Sequence, residues 1–177
     1  MNFPGVFNDI PIMVFMNEPN KSKTEMEQEF FLNAIQKKPN CAEFYVVLGV
    51  RLTIDDTIQL LDGTPMTKQK LYLEAIHINP HYALAYHNLG TTLSSNGKIQ
   101  LLNENWMTQQ ELFLTSIKND PDSALSYHSL GTTLEQNGKI KLLNGSWMTD
   151  QELFLVAIQK DPHFGLPYSF LGLTTPT

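Results

Sequence analysis

Met107-Thr108-Gln109-Gln110-Glu111-Leu112-Phe113-Leu114 opens a stretch that runs through Asp120-Pro121 to Ser129-Leu130-Gly131-Thr132-Thr133-Leu134 and closes at Asn137-Gly138. The same string stands upstream as Met66-Thr67, Pro80, Leu89-Gly90-Thr91-Thr92-Leu93 and Asn96-Gly97, and downstream as Met148-Thr149, Pro162 and Leu171-Gly172-Leu173. Pro39, Pro80, Pro121 and Pro162 are separated by 80−39, 121−80 and 162−121, which is 41 each time, and Gly49, Gly90, Gly131 and Gly172 keep the same step. An unbroken period of this size marks a repeat array, in which units stack and each contacts mainly its neighbours.

Composition narrows the classes further. A chain of 177 residues holds about four such units, and 42% hydrophobic residues are enough to give them a core. The net charge is −6 and the pI about 5.3, with no basic cluster longer than Lys37-Lys38. That argues against nucleic-acid binding or an anionic-membrane surface, since both need a basic patch. Cys41 is the lone cysteine, which rules out a disulfide framework and a cysteine metal site and leaves a cytoplasmic location as the default. The apolar patches of Met1 to Met16 are broken by Pro4, Asp9 and Pro11 and follow no basic segment, so neither a signal peptide nor a membrane span is expected.

Taken in order, residues 1–23 fall outside the repeat. Ile12-Met13-Val14-Phe15-Met16 reads as a strand, followed by a turn through Asn17-Glu18-Pro19-Asn20-Lys21-Ser22. The array occupies 24–173, and 174–177 form a tail. Thr24-Glu25-Met26-Glu27 has the form of a capping box, and Phe30, Phe31, Ala34 and Ile35 follow on one helical face. Pro39 closes this helix, because the residue before a proline is driven out of the helical region. The next helix begins near Cys41 and carries Phe44, Tyr45, Leu48, Gly49 and Leu52. A helical glycine costs roughly 1 kcal/mol relative to alanine, so its return at 90, 131 and 172 points to close helix–helix approach. Later helices open at Thr67, Thr108 and Thr149. The boxes are complete in Thr108–Glu111 and Thr149–Glu152 but lack their carboxylate at Lys70. Asn96-Gly97 and Asn137-Gly138 read as helix stops.

Between the helices of each unit lies a second recurring piece: Ile58 to Met66, Ile99 to Met107 and Ile140 to Met148. Asp62-Gly63 and Asn144-Gly145 between apolar flanks predict a β-hairpin, since both central residues tolerate positive φ. An extended loop whose leucines cover the helix ends is the alternative. Trp106 and Trp147 at the hairpin exit are expected to pin it onto the helices.

The units resemble tetratricopeptide repeats (TPRs). Tyr86, Leu89, Gly90, Gly97, Phe113, Ser116 and Pro121 carry that pattern, and Tyr127, Leu130, Gly131, Gly138, Phe154, Ala157 and Pro162 repeat it. Sel-type repeats are the runner-up but lack the proline between units. The usual unit is 34 residues, so each copy here has 41−34, or 7, extra residues, placed at the hairpin. The resemblance implies an all-α, right-handed α-solenoid of TPR-like helix pairs, with the hairpin or loop on one rim. It also implies a non-enzymatic scaffold that binds a protein or peptide in its concave groove.

The residues expected to line that groove are His87, Asn88 and Thr91, then His128, Ser129 and Thr132. Val46, Val47 and Val50 precede them, and Ser169 and Phe170 follow. One asparagine and no Lys or Arg stand among these, so the carboxylate clamp of chaperone-binding relatives is not expected, nor is an asparagine ladder. Neighbouring repeats lie on the order of 10 Å apart, too far for His87 and His128 to share a zinc at about 2 Å per ligand. No metal, cofactor or nucleophile constellation is expected, and Ser126 and Ser129 beside His128 are explained by the repeat. An alternative function is a structural subunit that self-associates through uncapped ends, with Phe170 and Leu173 exposed, and through the hairpin rim.

Overall fold

Pre-proline geometry, threonine caps and one close helix–helix contact set the architecture of the computed structural model, which describes residues 22–174. The strand expected at Ile12–Met16 and its turn lie outside the described residues, as do residues 175–177 of the tail. The chain divides into two compact units, Met1–Ile78 and Asn79–Thr177. The first holds α1 (Lys23–Lys37), α2 (Ala42–Val50), the strands β1 (Thr57–Gln59) and β2 (Pro65–Thr67), and α3 (Lys68–Ile78). The second holds α4 (Ala83–Thr91), β3 (Lys98–Gln100), β4 (Trp106–Thr108), α5 (Gln109–Asn119) and α6 (Ala124–Thr132). It continues with β5 (Lys139–Lys141), β6 (Trp147–Thr149), α7 (Asp150–Lys160) and α8 (Gly165–Phe170). Among the described residues the architecture is a helical repeat to which three two-stranded antiparallel sheets are added, so it is not purely helical.

The helix boundaries follow from where backbone groups find partners. At α1 the capping box is Ser22–Glu25, not Thr24–Glu27: the Glu25 N–H donates to Ser22 Oγ at 3.2 Å and the Ser22 N–H to Glu25 Oε2 at 2.7 Å. Two boxes overlap in this sequence, and the earlier one leaves Glu27 free to accept from Arg51 Nε at 2.8 Å, near the end of α2. Thr108–Glu111 and Thr149–Glu152 form full boxes. At Thr67 only half forms, with the Lys70 N–H donating to Thr67 Oγ1 at 3.3 Å. Asp120 and Asp161 end α5 and α7 in extended conformation ahead of proline. Their carboxylates accept the N–H of Asp122 and His163, and the Asn79 side chain does the same for His81.

The helices α4 and α6 stop before the Asn-Gly pairs expected to end them. Thr92 and Thr133 donate their hydroxyls to the Leu89 and Leu130 carbonyls at 2.7 Å, which satisfies acceptors at the helix ends. Gly97 and Gly138 instead close tight turns into the hairpins, through N–H bonds to Ser94 and Glu135.

Each hairpin pairs an isoleucine with a methionine: Ile58 with Met66, Ile99 with Met107, Ile140 with Met148. The turn differs from a two-residue Asn-Gly loop. Leu60 accepts from Gly63 and donates to Thr64, so a tight turn is followed by a residue in the left-handed region. Gly63 and Gly145 take that position at φ 85° and 93°, and Glu104 is forced there at 68°. For a residue with a side chain that conformation costs about 1–2 kcal/mol. Strand alternation turns Met66, Leu101 and Leu142 to the core and the tryptophans away from it. Trp106 and Trp147 are 62% and 63% exposed, so methionine and leucine anchor the hairpin.

Within each unit the helices pack through a glycine. A Cβ built on Gly49 would lie 2.6 Å from the Tyr72 ring, and one on Gly90 or Gly131 would lie 2.7 Å from Phe113 or Phe154. The fourth glycine has changed role. Gly172 follows α8 at φ 67° with nothing within 4 Å of a built Cβ. Its N–H and that of Leu173 bond back to Ser169 and Tyr168 at 3.3 and 2.8 Å, a Schellman stop.

A third contrast between copies concerns the first residue of α3, α5 and α7. Lys68 Nζ donates to the Leu52 carbonyl at 2.7 Å, and Gln109 Nε2 donates to those of Gly90 and Leu93 at 3.1 and 2.7 Å. Asp150 has no donor to offer there, and its Oδ1 is buried without a partner.

Two outcomes are expected from urea unfolding. Gly131→Ala lowers stability by about 1–3 kcal/mol although alanine favours helix, and Phe154→Leu in the same chain recovers part of the loss. Asp150→Gln raises stability by about 1 kcal/mol by supplying the missing donor; no gain would mean that the buried oxygen carries no penalty.

Candidate functional site

The candidate surface lies in Asn79–Thr177, on the exposed face of α4, α6 and α8. Residues four and then three apart share a helical face, and three sets do so here. Leu84 and Asn88 are half-buried and Thr91 exposed on α4; Leu125 and Ser129 are half-buried and Thr132 exposed on α6. Leu166 and Phe170 on α8, with Leu173 just beyond it, are exposed. Leucine thus opens each set, at 84, 125 and 166, one period apart. The two positions that follow it are polar on α4 and α6 and apolar at α8, and no charged side chain stands at any of the nine.

Thr91 and Thr132 donate their hydroxyls to the carbonyls of Asn88 and Ser129 at 2.7 and 2.8 Å. The hydroxyl oxygens of these exposed residues keep lone pairs with which to accept. The Asn88 amide and the Ser129 hydroxyl have no hydrogen-bond partner among the described residues, so they offer both donors and acceptors.

His87 and His128 do not share this face. Each precedes its half-buried neighbour, Asn88 or Ser129, by one residue, a rotation of about 100° around the helix, and they are 4% and 7% exposed. The histidine positions expected to line the groove are thus part of the core. His87 packs on Phe113 with ring centroids 5.5 Å apart, and His128 is enclosed by Phe154, Phe164 and Phe170 at 5.5, 5.2 and 5.3 Å. Phe170 meets His128 in an edge-type contact and is otherwise largely exposed.

A buried polar chain serves the first histidine and not the second. Ser116 Oγ donates to the Ala83 carbonyl at 2.8 Å and lies 2.8 Å from Ser126 Oγ, which is 2.9 Å from Ser123 Oγ and 3.5 Å from His87 Nδ1. One repeat on, the place of Ser126 falls to Pro167, which has no donor, and His128 Nδ1 is buried without a partner. Ser126 therefore meets the neighbouring helix's histidine rather than His128. Among the described residues, no three His, Cys, Asp or Glu side chains converge on a point.

Burial pushes the His87 pKa down from 6.5 to about 4, with repulsion from His128 adding to it, and burial lowers His128 as well. Both rings are neutral in the fold, whereas in the unfolded chain they take up protons near pH 6.5. The unfolded state then binds more protons between pH 6.5 and 4, so stability is fully present above 6.5 and is lost as pH falls. Between pH 7.5 and 5, His87 is expected to cost the fold about 2 kcal/mol, and His87→Gln flattens the difference between urea midpoints at those two pH values. An unchanged difference would place the pH dependence elsewhere.

Of the positions expected from sequence, Asn88, Thr91, Ser129 and Thr132 share a helical face with Leu84 and Leu125, which the sequence reading did not name, as it did not name Leu166. The signal for these was the four-residue step back along each helix, at which the same residue type returns three times. No helix among the described residues is long and apolar enough to cross a membrane. A search of curated proteins finds no match to the chain. Residues 71–110 and 112–142 match the family described as Tetratricopeptide repeat, whose members generally mediate protein–protein contacts and are typically non-enzymatic. The segment 71–142 is a tetratricopeptide-like repeat.

Proposed function

We propose that the chain is a non-enzymatic adaptor whose α4–α6–α8 face binds an uncharged, extended or helical segment of a partner protein in the concave groove of a right-handed solenoid. The observation that supports this reading is the surface itself. Four polar side chains with unused hydrogen-bonding capacity stand beside a leucine row and lead to the exposed apolar residues of α8. An amphipathic segment, apolar toward the leucines and α8 and polar toward Asn88 and Ser129, matches that layout. His87 and His128 act beneath this face, fixing the orientation of the helices that present it. The absence of Lys and Arg from these positions disfavours an acidic or carboxylate-terminated ligand.

Selection of peptides from a random displayed library against the full chain tests this. Asn88→Ala and Ser129→Ala are each expected to weaken a selected peptide by about 3–10-fold, the loss of one hydrogen bond. Peptides indifferent to both substitutions would overturn the assignment of this face.

A second reading, self-association, is supported by the exposed Leu166, Phe170 and Leu173 at α8. Its signature is a solution mass that grows with concentration and returns to the monomer in Leu173→Ser. A monomer throughout would leave the peptide reading alone.

A further inference from the structure

A separate feature is found in both units. In the second unit a cavity of about 260 Å³ opens between α5, the Pro121 turn, Tyr127 of α6 and the hairpin leucines Leu142 and Leu143. In the first unit a cavity of about 250 Å³ opens between α1, the Pro39 turn, Tyr45 of α2 and the hairpin leucines Leu60 and Leu61. Every lining position of one is the repeat counterpart of a lining position of the other, two periods away. The walls are mostly leucine, isoleucine and proline, and one leucine at each mouth, Leu61 or Leu143, is exposed.

Each cavity also holds one polar group that the fold leaves unused. Tyr45 and Tyr127 are 5% and 8% exposed, and neither hydroxyl has a hydrogen-bond partner among the described residues. Neither oxygen is sealed away, since the only buried side-chain polar atoms without a partner among those residues are His128 Nδ1 and Asp150 Oδ1. The counterpart tyrosines are used differently: Tyr86 donates to the Pro80 carbonyl at 3.1 Å and Tyr168 to that of Pro162 at 3.0 Å. Two of four equivalent hydroxyls thus tie down the proline turn, and the other two line a cavity.

We infer that these two cavities are anchor sites, each taking one leucine-type side chain of an extended partner segment while the Tyr45 or Tyr127 hydroxyl bonds the segment's backbone amide. Size selects the class. Sites for cofactors and drug-sized ligands run from about 300 to 1,000 Å³, and these fall below that range while accommodating an aliphatic side chain and its neighbouring peptide group. Chemistry selects it too. Lys118 and Asn144 in one cavity and Gln36 and Asp62 in the other are exposed, so the tyrosine hydroxyl is the polar group set among the aliphatic side chains, and it suits an amide beside a hydrocarbon. The inserted hairpin, which supplies the leucine pair in both cavities, is then the binding element.

The test is a methyl-NMR titration of the full chain with N-acetyl-leucine methylamide, alongside N-acetyl-alanine methylamide and decanoate. The expected result is a saturable shift of the Ile117 and Leu142 methyls and of the Ile35 and Leu60 methyls, with millimolar affinity, and weaker shifts with the alanine compound. Tyr127→Phe should weaken the response at Ile117 and Leu142 roughly 3–10-fold and leave that at Ile35 and Leu60 unchanged. It should also leave the urea midpoint unchanged, because its hydroxyl holds nothing in the fold, whereas Tyr86→Phe lowers it. Absence of saturation, a response indifferent to Tyr127→Phe, or saturation by decanoate alone would each overturn the inference, the last in favour of an alkyl ligand. Shifts confined to the Thr91 and Thr132 methyls would overturn it while supporting the groove on α4 and α6.

Discussion

The contact between a helical glycine and the aromatic ring of the following helix governs the rest of each unit. At Gly90 and Gly131 the ring edge of Phe113 or Phe154 comes closer than any Cβ allows, so α4 lies against α5 and α6 against α7 at the distance the ring dictates. That distance brings Ser116 within hydrogen-bonding reach of Ala83 and Gln109 within reach of the carbonyls around Gly90. It also turns Asn88 and Ser129 outward, because the face opposite the glycine is the one left uncovered. Packing, capping and presentation of the candidate surface follow from the same missing side chain. Roughly 1 kcal/mol of helix propensity is given up at each glycine, and burial of a whole aromatic ring, on the order of 2–3 kcal/mol, exceeds it.

Much of this was legible in the sequence because each signal returns at a fixed step and can be read several times over. A proline that recurs after Asn79, Asp120 and Asp161 reads as a helix end, and the extended backbone at Asp120 and Asp161 meets that expectation. The hairpins were legible from Asp62-Gly63 and Asn144-Gly145, but their turn was not, since a dipeptide does not reveal how many residues the loop spans. Glu104 shows this: nothing in its identity announces a left-handed conformation, and the ladder around it imposes one.

What could not be read were choices separated by a single residue. His87 and Asn88 differ by one step on a helix, and that step decides between a buried ring and an outward amide. Trp147 and Met148 differ by one step on a strand, which puts the larger apolar side chain in solvent and the smaller against the core. Ser22 and Thr24 both begin plausible boxes two residues apart, and a tertiary contact, Glu27 with Arg51, goes with the earlier one. Composition and period fix neither rotation nor phase; packing partners do. Gly172 belongs to the same category, since its helix ends where the three earlier glycines sit inside theirs.

Equivalent positions then diverge in ways that concentrate weakness at one helix pair. Pro167 stands where Ser126 would have met the histidine, so His128 Nδ1 has no partner. Asp150 stands where Gln109 donates to helix-terminal carbonyls, so its Oδ1 has none either. Both orphans lie on α6 and α7, and each buried polar group without a partner costs about 1–3 kcal/mol. The α4–α5 pair, by contrast, has both positions satisfied. Within Asn79–Thr177 both unsatisfied groups therefore fall on one helix pair, α6–α7. Phe170 is the lid over that region, packed on His128 and Phe154 from the exposed apolar end of the candidate surface.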